Sequence, residues 1–454
     1  MKKERMDNKE VTFKDSDMAR GDVHWIGEIP GDWKISKLRY VTVKIGSGVT
    51  PKGGAEVYKT SGVPLLRSQN VHFEGLSLSD VAYIDPEIHD SMKGSKVVSG
   101  DVLFNITGAS IGRCFYVNDS LGEANVNQHV CIIRPNEKVD TKFLNFSLSS
   151  EIGQAQVKLA NTGSGREGLN FENLKNFTIP LPSIKTQKSI ASFLDEKTAL
   201  IDELIEKKKK MIELLEEQRQ ATINQAVTKG LDPNVPMKDS GIEWIGEIPE
   251  DWEILSLKHR ISEIRIGPFG SALKLEDLVE NGYRVYGQEN VIKEDWTLGK
   301  RFLSDKKFEE MKQYSVRPGD ILITMMGTTG KSKIVPEAIE EGIIDSHLIR
   351  LRLNDEMNPS LISLIINDSH MIKSQLDTLS RGSIMSGLNS KIIKSLLIPT
   401  PSRDIQDKIY YYLVDFLDDY INERERLEQI IDKLREYKSA LIFNAVTGKI
   451  QVDG

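Results

Sequence analysis

The chain of 454 residues, 39% of them hydrophobic, is long enough for two or three domains with ordinary cores. Its formal net charge of -7 argues against attraction of the whole surface to nucleic acid, although it leaves a local basic face open. No stretch approaches the roughly 20 apolar residues of a membrane span, and the first residues lack the apolar core of a signal peptide, so we expect a cytoplasmic protein. Cys114 and Cys131 are too few for a disulfide framework or a metal site, and we interpret both as apolar core residues.

The first half of the chain contains two regions that differ in composition and in predicted secondary structure. After an N-terminal tail at 1–19, residues 20–182 contain short β-like runs broken by Gly, Asn, Ser and Pro clusters, a pattern typical of a compact mixed α/β domain. Region 183–233 follows, and from 186 to 228 it contains neither Pro nor Gly, which predicts one long helix. The prolines at 180 and 182 mark the entry to that helix.

The second half repeats this order. Residues 234–401 predict a second mixed α/β domain, residues 402–449 a second long helix and residues 450–454 a short tail. We call region 20–182 head 1 and region 234–401 head 2. Apolar residues alternate by four and three along both predicted helices, and such a stripe requires a partner helix. The most available partner is the other copy, so we predict an α+β fold: two similar mixed α/β heads in tandem, each followed by a long helix, and the two helices paired as an antiparallel coiled coil.

An internal repeat supports this order of domains. The motif WIGEIPGDW at 25–33 returns as WIGEIPEDW at 244–252, displaced by 219 positions (244 minus 25). The same displacement, within a residue, relates the segments GDVL at 100–103 and GDIL at 319–322. It also relates AVT at 226–228 to AVT at 445–447. We conclude that one unit of about 219 residues is present twice in tandem.

The segment GKS at 330–332 raises the question of a nucleotide-binding P-loop. The pattern requires a glycine five residues earlier and a helix afterwards. This chain has Met325 at the first position, and Pro336 comes too soon for the helix. The first copy has Arg113 in place of the lysine. We therefore predict a glycine-containing turn between two strands in both copies, which either presents side chains to a ligand or only connects the strands.

Motifs for catalysis are not found in either half. We find no metal-ligand cluster, nucleophile elbow or glycine-rich dinucleotide fingerprint in the sequence. His129 and His347 occupy equivalent places, where each either faces a ligand or satisfies a strand end, and no acid or base partner can be assigned to them from the sequence. The sequence thus favours a binding protein over an enzyme.

Two motifs carry a resemblance to a known family: KDSGIEWIGEIPEDWE at 238–253 and GPFGSALK at 267–274. With its alternation of heads and paired helices, the chain resembles, over essentially its whole length, the DNA-specificity subunit of type I restriction-modification systems. The resemblance implies a bacterial or archaeal, nucleoid-associated protein in which each head is a target recognition domain. Each head would read one half of a bipartite, asymmetric site in double-stranded DNA.

The same resemblance implies partners and cofactors. The helical regions would separate the heads and dock two modification subunits, which methylate adenine with S-adenosylmethionine, while restriction subunits add ATP-dependent cleavage. No cofactor or metal is then expected on this chain, because S-adenosylmethionine and ATP with magnesium belong to the partner subunits. No membrane partner is expected.

Base edges in duplex DNA are read by Arg, Lys, Asn, Gln, Ser and Thr side chains, because these match the donors and acceptors of the bases. We expect such residues on loops of each head, where some read bases and others contact phosphates or serve only the loop. The candidates in head 1 are Ser47, Thr50, Gln69, Asn70, Thr107, Ser110, Arg113, Ser164 and Arg166. The candidates in head 2 are Ser271, Lys274, Gln288, Asn290, Thr328, Thr329, Lys331, Arg381, Ser383 and Ser386. The repeated tryptophans are expected to be packing anchors, since stacked aromatics usually serve single strands: Trp25, Trp33, Trp244 and Trp252.

Two other functions remain as hypotheses. The first is a coiled-coil adaptor whose heads bind proteins. Its affinity for a protein need not fall steeply with salt, as the affinity of a DNA-binding subunit for duplex DNA does. The second is an ATP-using enzyme built on Lys331, which requires nucleotide binding that is lost on Lys331→Ala. Neither accounts for the specific motif that occurs twice in the chain.

Overall fold

The computed structural model describes residues 18–20, 25–161, 168–269, 272–326, 330–380 and 388–452. The chain forms two compact units. Unit 1 comprises Met1–Lys208 with Gln429–Gly454, and unit 2 comprises Lys209–Glu428. Each unit contains one head together with parts of both long helices.

Head 1 is built from short strands and short helices. Its strands are β1 (Met18–Arg20), β2 (Glu28–Pro30), β3 (Lys34–Lys37), β4 (Thr42–Ser47), β5 (Val63–Leu66), β6 (Ala82–Ile84), β7 (Lys96–Val97), β8 (Val102–Asn105), β9 (Cys114–Tyr116), β10 (Ala124–Val126), β11 (Val130–Pro135) and β12 (Thr178–Leu181). Its helices are α1 (Leu38–Val41), α2 (Pro86–Ser91), α3 (Thr141–Ser149), α4 (Glu151–Asn161) and α5 (Phe171–Asn176). The long helix α6 (Ile184–Lys229) follows.

Head 2 repeats the pattern. Its strands are β13 (Met237–Asp239), β14 (Glu247–Pro249), β15 (Glu253–Ser256), β16 (Ile261–Ile266), β17 (Leu278–Val279), β18 (Tyr283–Tyr286), β19 (Phe302–Leu303), β20 (Ile321–Thr324), β21 (Ser332–Ile334), β22 (Gly342–Ile344), β23 (Leu348–Leu353) and β24 (Leu397–Thr400). Its helices are α7 (Gln288–Lys293), α8 (Asp305–Glu310), α9 (Pro359–Asp368), α10 (His370–Ser380) and α11 (Ser390–Ser395). The long helix α12 (Arg403–Val446) follows.

Two four-stranded sheets form the body of each head. In head 1 their strand orders are β6-β5-β10-β7 and β4-β11-β8-β9, and in head 2 they are β17-β19-β18-β22 and β16-β23-β20-β21. The second sheet of each head is antiparallel throughout. Because every strand of that sheet reverses direction, the ends of alternate strands meet at the same edge, and this edge positions the candidate site.

A buried carboxylate supports the central strand of this sheet in both heads. Asp101 accepts two hydrogen bonds from the Arg134 guanidinium, at 2.7 and 2.9 Å, and Asp320 accepts two from Arg352, at 2.7 and 2.8 Å. The hydrogen bonds from Asp101 raise the pKa of Arg134 above its ordinary value. The aspartates of the repeated segments at 100–103 and 319–322 therefore have a structural role, because a buried carboxylate is stable only when a cation such as the arginine guanidinium pairs with it.

Both cysteines are core residues, as predicted. Cys114 and Cys131 are free and fully buried in head 1. Burial raises the pKa of the Cys131 thiol to about 12, so it is protonated at neutral pH and is not a nucleophile or a ligand.

Each long helix is fastened to the head before it by a buried glutamine. Gln187 accepts a hydrogen bond from the Asp140 amide at 2.8 Å and donates to the carbonyls of Lys138 and Pro182 at 3.0 and 2.9 Å. Gln406 of α12 makes the equivalent three bonds in head 2. All of these partners are backbone groups, and side-chain bonds add to them: Lys142 pairs with Asp195 of α6, and Asn358 donates to Asp407 of α12.

We predict that Gln187→Ala destabilises unit 1 by about 2–3 kcal/mol, because it leaves buried backbone groups of Lys138, Asp140 and Pro182 without partners. The measurement is the urea dependence of unfolding of the full chain. Lys188→Ala, an exposed change one residue further along α6, is the matched control and is expected to stay within about 0.5 kcal/mol of wild type. Equal stability of the two variants would contradict the role assigned to Gln187.

The long helices pair antiparallel, as predicted. Within unit 1 the Lys438 ammonium lies 2.7 Å from both carboxylate oxygens of Asp202. Within unit 2 the Tyr420 hydroxyl donates to Glu216 at 2.6 Å. Residue numbers therefore rise along α6 as they fall along α12. Ile201, Ile205, Leu427 and Ile431 of the predicted apolar stripe are buried, whereas Arg424, which also falls in the stripe, is exposed and pairs with Glu428.

The repeated tryptophans divide into packed and exposed side chains. Trp252 is buried and lies against Gly230, the glycine that ends α6, while Trp33 lies against Gly448, which ends α12. Trp25 is half-buried and donates to the Thr178 hydroxyl at 3.3 Å. The expectation of a packing anchor was wrong for Trp244, which is 58% exposed. The position equivalent to Thr178 holds a leucine, at 397, which offers no acceptor.

Candidate nucleic-acid interface

Four segments of head 1 meet at one edge of the sheet β4-β11-β8-β9. β4 and β8 both end where β11 begins, because both run antiparallel to β11. The Gly48 amide donates to the Asn127 carbonyl at 3.1 Å, and the Ile106 amide donates to the His129 carbonyl at 3.0 Å. The Leu169 amide in turn donates to the Ile106 carbonyl at 2.8 Å. We call segments 47–50, 106–110, 127–129 and 168–169 the sheet-end surface of head 1.

A chain of side-chain hydrogen bonds crosses this surface. The Thr50 hydroxyl donates to Gln128 Oε1 at 2.5 Å, and Gln128 Nε2 lies 2.9 Å from His129 Nε2. His129 Nδ1 lies 2.6 Å from the Thr107 hydroxyl. Two of the predicted candidates, Thr50 and Thr107, are thus brought together by two residues that connect them.

The backbone of head 2 forms the same arrangement. The Met325 amide donates to the His347 carbonyl at 2.9 Å, and the Leu388 amide donates to the Met325 carbonyl at 3.1 Å. A Cβ atom added at Gly267 would lie 1.8 Å from the Asp345 carbonyl oxygen. We call segments 266–269, 325–326 and 345–347 with residue 388 the sheet-end surface of head 2.

The side chains on this second surface are different. At the positions displaced by 219 from Thr50 and Thr107, head 2 has Phe269 and Met326. Their side chains are 59% and 53% exposed. Where head 1 presents hydroxyls, head 2 therefore presents apolar groups to solvent.

Charge on the second surface is partly neutralised within the head. The Arg301 guanidinium bonds Asp345 at 2.9 Å and Glu289 at 3.0 Å. His347 Nδ1 lies 3.7 Å from an Asp345 oxygen, and the histidine side chain is 49% exposed. Both repeated histidines are therefore at the surface edge rather than in the core.

The other described candidates, apart from two asparagines, are exposed or half-buried. Ser47 donates to the Gly48 carbonyl at 3.2 Å, and Ser110 and Arg113 are half-buried at the turn after β8. Gln69 is exposed and pairs with Asp80 at 2.5 Å.

In head 2, Lys274 is exposed and pairs with Glu276 at 3.0 Å. Gln288 is half-buried, and its Oε1 is without a hydrogen-bond partner among the described residues. Lys331 is exposed just after the turn between β20 and β21.

Two candidates are used inside the fold. Asn70 is 1% exposed and Asn290 is fully buried. The Asn70 amide bonds the backbone of Arg67 and Ser77 at 2.9 Å each, and Asn290 bonds Gly287 and Asp295 in the same way. This burial corrects our expectation for both asparagines, because an amide engaged with backbone cannot reach a base edge.

Eight candidates lie outside the described residues, and their place on the surface is not assigned: Ser164, Arg166, Ser271, Thr328, Thr329, Arg381, Ser383 and Ser386. The segment carrying Ser164 and Arg166 is followed directly by Gly168, which forms a β-bridge with Thr107. That bridge brings the described end of the segment to the sheet-end surface of head 1.

The segment at 330–332 is not followed by a helix. Strand β21 begins at Ser332 and pairs antiparallel with β20, as the turn hypothesis predicted. The Lys331 amide donates to the Thr324 hydroxyl at 3.1 Å, so this backbone donor is engaged within the fold. The P-loop interpretation is therefore rejected, since a phosphate cradle needs free amides at a helix N-terminus.

Sequence reasoning overlooked four residues of these surfaces: Gln128, Ser346, Phe269 and Met326. A signal for them existed. Aligning the two copies at a displacement of 219 pairs Thr50 with Phe269 and Thr107 with Met326. Positions where two similar units differ in chemistry are candidates for specificity, and this signal includes apolar residues such as Phe269 and Met326.

Within the described ranges, no cluster of three or more metal-ligating side chains occurs, and no helix is long and apolar enough to cross a membrane.

Comparison with known proteins decides the family. The family model described as the type I restriction modification DNA specificity domain matches the chain twice, at residues 30–214 and 249–435. The chain belongs to the type I restriction-modification specificity family. This specificity subunit is thus a DNA-recognition component, and the catalytic activities of such systems lie on other subunits.

Relatives match over most of their length. The specificity subunit is 24% identical to the putative type I restriction enzyme MjaX specificity subunit of Methanocaldococcus jannaschii, over 94% of this chain and 96% of that protein. It is 26% identical to the type I restriction enzyme EcoBI specificity subunit of Escherichia coli, over 77% of this chain and 72% of that protein.

Solved structures show the same fold. The HsdS subunit from Thermoanaerobacter tengcongensis matches with a TM-score of 0.58 at 18% identity, covering 95% of this chain and 99% of that one. A chain from a study of complex assembly and conformational transition of the type I restriction-modification system matches with a TM-score of 0.67 at 16% identity, over 93% of this chain and 99% of that one.

Proposed function

We propose that this specificity subunit reads a bipartite, asymmetric site in double-stranded DNA, with each head reading one half-site through its sheet-end surface. Base-reading groups would come from the loops at the strand ends, and neighbouring cations would bind the phosphates that set register. Lys52 and Lys331 suit that second role, because both are exposed close to the two surfaces.

One observation carries this proposal. The two sheet-end surfaces share their backbone hydrogen bonds but differ in side chains: Thr50 and Thr107 in head 1, Phe269 and Met326 in head 2. Hydroxyl and amide groups match donors and acceptors of base edges, whereas exposed apolar groups suit the methyl group of thymine. A shared frame with different contact groups is what an asymmetric pair of half-sites requires.

We further propose the partners of this subunit. The paired helices α6 and α12 would dock two modification subunits that methylate adenine, and a restriction subunit would add ATP-dependent cleavage. S-adenosylmethionine and ATP with magnesium would then be bound by those partners. The complex would act in the cytoplasm, where its proposed substrate is found.

The proposal predicts that the purified chain alone does not methylate DNA and that methylation of a bipartite motif appears when modification subunits are added. The measurement is the methylated motif of cells that express the chain with those subunits, determined by sequencing. Expression of the modification subunits without the chain is the control. Adenine methylation by the rigorously purified single chain would overturn the prediction.

A salt titration separates this function from that of a protein-binding adaptor. Neutralised phosphates release counterions, so binding to a duplex containing the motif should weaken steeply with salt, with a logarithmic slope of about -0.9 per phosphate contact. Failure of the chain and its partners to bind duplex DNA at any salt concentration would favour the adaptor.

A further inference from the structure

The exposed amide of Gln128 is held at both of its polar atoms, at the centre of the sheet-end surface of head 1. We propose that Gln128 reads an adenine in the half-site of head 1. The inference rests on the proposed function and assigns a base-reading role to a residue that the sequence did not single out.

The hydrogen-bond chain engages both polar atoms of the Gln128 amide. Gln128 Nε2 can only donate, so His129 Nε2, 2.9 Å away, accepts. The neutral imidazole then carries its hydrogen on Nδ1 and donates it to the Thr107 hydroxyl at 2.6 Å. Thr50 donates to Gln128 Oε1 at 2.5 Å. The reversed amide is satisfied equally well, because the Thr50 hydroxyl also accepts and the other tautomer of His129 donates from Nε2. In both orientations each polar atom of the amide has one partner within the head.

In either orientation the amide retains one donor and one acceptor. Nε2 has a second hydrogen and Oε1 a second lone pair. Adenine presents an acceptor, N7, beside a donor, N6, in the major groove, and a glutamine amide bonds both at once. Guanine presents two acceptors there, while thymine offers an acceptor and cytosine a donor. Only adenine satisfies both free groups of Gln128.

The neighbours of Gln128 serve to position it. Asn127 is 7% exposed and accepts from the His129 amide at 3.1 Å, so its side chain supports the turn. Thr50 and His129 hold the amide before DNA arrives, which lowers the conformational entropy lost on binding. Head 2 has Ser346 at the place of Gln128, and therefore has no amide there. At this position the amide is therefore present in head 1 and not in head 2.

The test is the methylation specificity of the full chain with its modification subunits. We expect Gln128→Ala to relax one adenine position in one half-site, with discrimination at that position falling roughly 5- to 150-fold and the other half-site unchanged. Discrimination is measured as methylation rates on four duplexes that differ only at that position. An unchanged motif, or relaxation at a position that is not adenine, overturns the proposal.

A pair of variants at Thr50 tests the positioning. Thr50→Val removes the donor to Gln128 Oε1 and is expected to weaken discrimination at the same adenine, whereas Thr50→Ser keeps the donor and the wild-type motif. Relaxation of a different position by Thr50→Val would contradict the hydrogen-bond chain. Gln313→Ala, an exposed glutamine of head 2 outside its sheet-end surface, is the control and should leave the motif unchanged.

Failure of this inference differs from failure of the proposed function. If the wild-type complex methylates no bipartite motif, the proposed function itself is wrong. If it methylates one and Gln128→Ala methylates the same one with the same discrimination, only the role of Gln128 is wrong.

Discussion

Exchange of residues 20–182 for the first head of another specificity subunit is expected to replace one half of the methylated DNA motif and to leave the other half unchanged. Head 1 lies wholly within unit 1 and has its own sheets and its own sheet-end surface. Gln187 fastens it to α6 through backbone groups of Lys138, Asp140 and Pro182, and any similar head provides such groups.

The measurement is the motif methylated in cells by the chimaeric chain with its modification subunits. The matched control is the reciprocal chimaera, in which residues 234–401 are exchanged and the other half of the motif should change. Simultaneous change of both halves by one exchange would show that the heads do not read independently.

Replacement of Gly48 by alanine is expected to destabilise head 1 by about 3 kcal/mol or more and to abolish its recognition of DNA. A Cβ atom at Gly48 would lie 1.7 Å from the Val126 carbonyl oxygen and 2.9 Å from that of Asn127. Both neighbours are backbone atoms, so relief requires the turn between β10 and β11 to move. That turn carries Gln128 and His129, so the movement also displaces the proposed base-reading groups.

Gly46→Ala is the control for this change, because it lies in the same strand and a Cβ atom there would meet nothing within 4 Å. We expect it to keep wild-type stability and motif. Gly267→Ala is the equivalent change in head 2, where the added atom would lie 1.8 Å from the Asp345 carbonyl oxygen. It should impair the other half-site. Urea unfolding and the methylated motif are measured for all three variants. Similar behaviour of Gly48→Ala and Gly46→Ala would disprove the steric argument.

The architecture was predictable from the sequence because it follows from long, regular patterns. The motif shared by 25–33 and 244–252 is long enough to establish the repeat, and the uninterrupted stretches without Pro or Gly are long enough to establish α6 and α12. The P-loop could be rejected from Met325 and Pro336 alone, and β21 confirms the strand that we expected there.

The candidate residues were only partly predictable. Residue type selected Thr50 and Thr107, which the structure joins through Gln128 and His129. It also selected Asn70, which is buried. An asparagine side chain can read a base or cap a turn, and its burial and hydrogen-bond partners in the fold decide which of the two it does.

The duplication, the α+β fold class and the paired helices were predictable from the sequence, since each depends on a repeated motif or on a regular spacing of residues along the chain. The tertiary structure alone decided which loops share one surface, because Thr50, Thr107 and Gln128 are far apart in sequence and meet only where β4 and β8 end beside the start of β11. It also decided that the Gln128 amide is held at both of its polar atoms, because the Thr50 hydroxyl reaches it only in the folded chain.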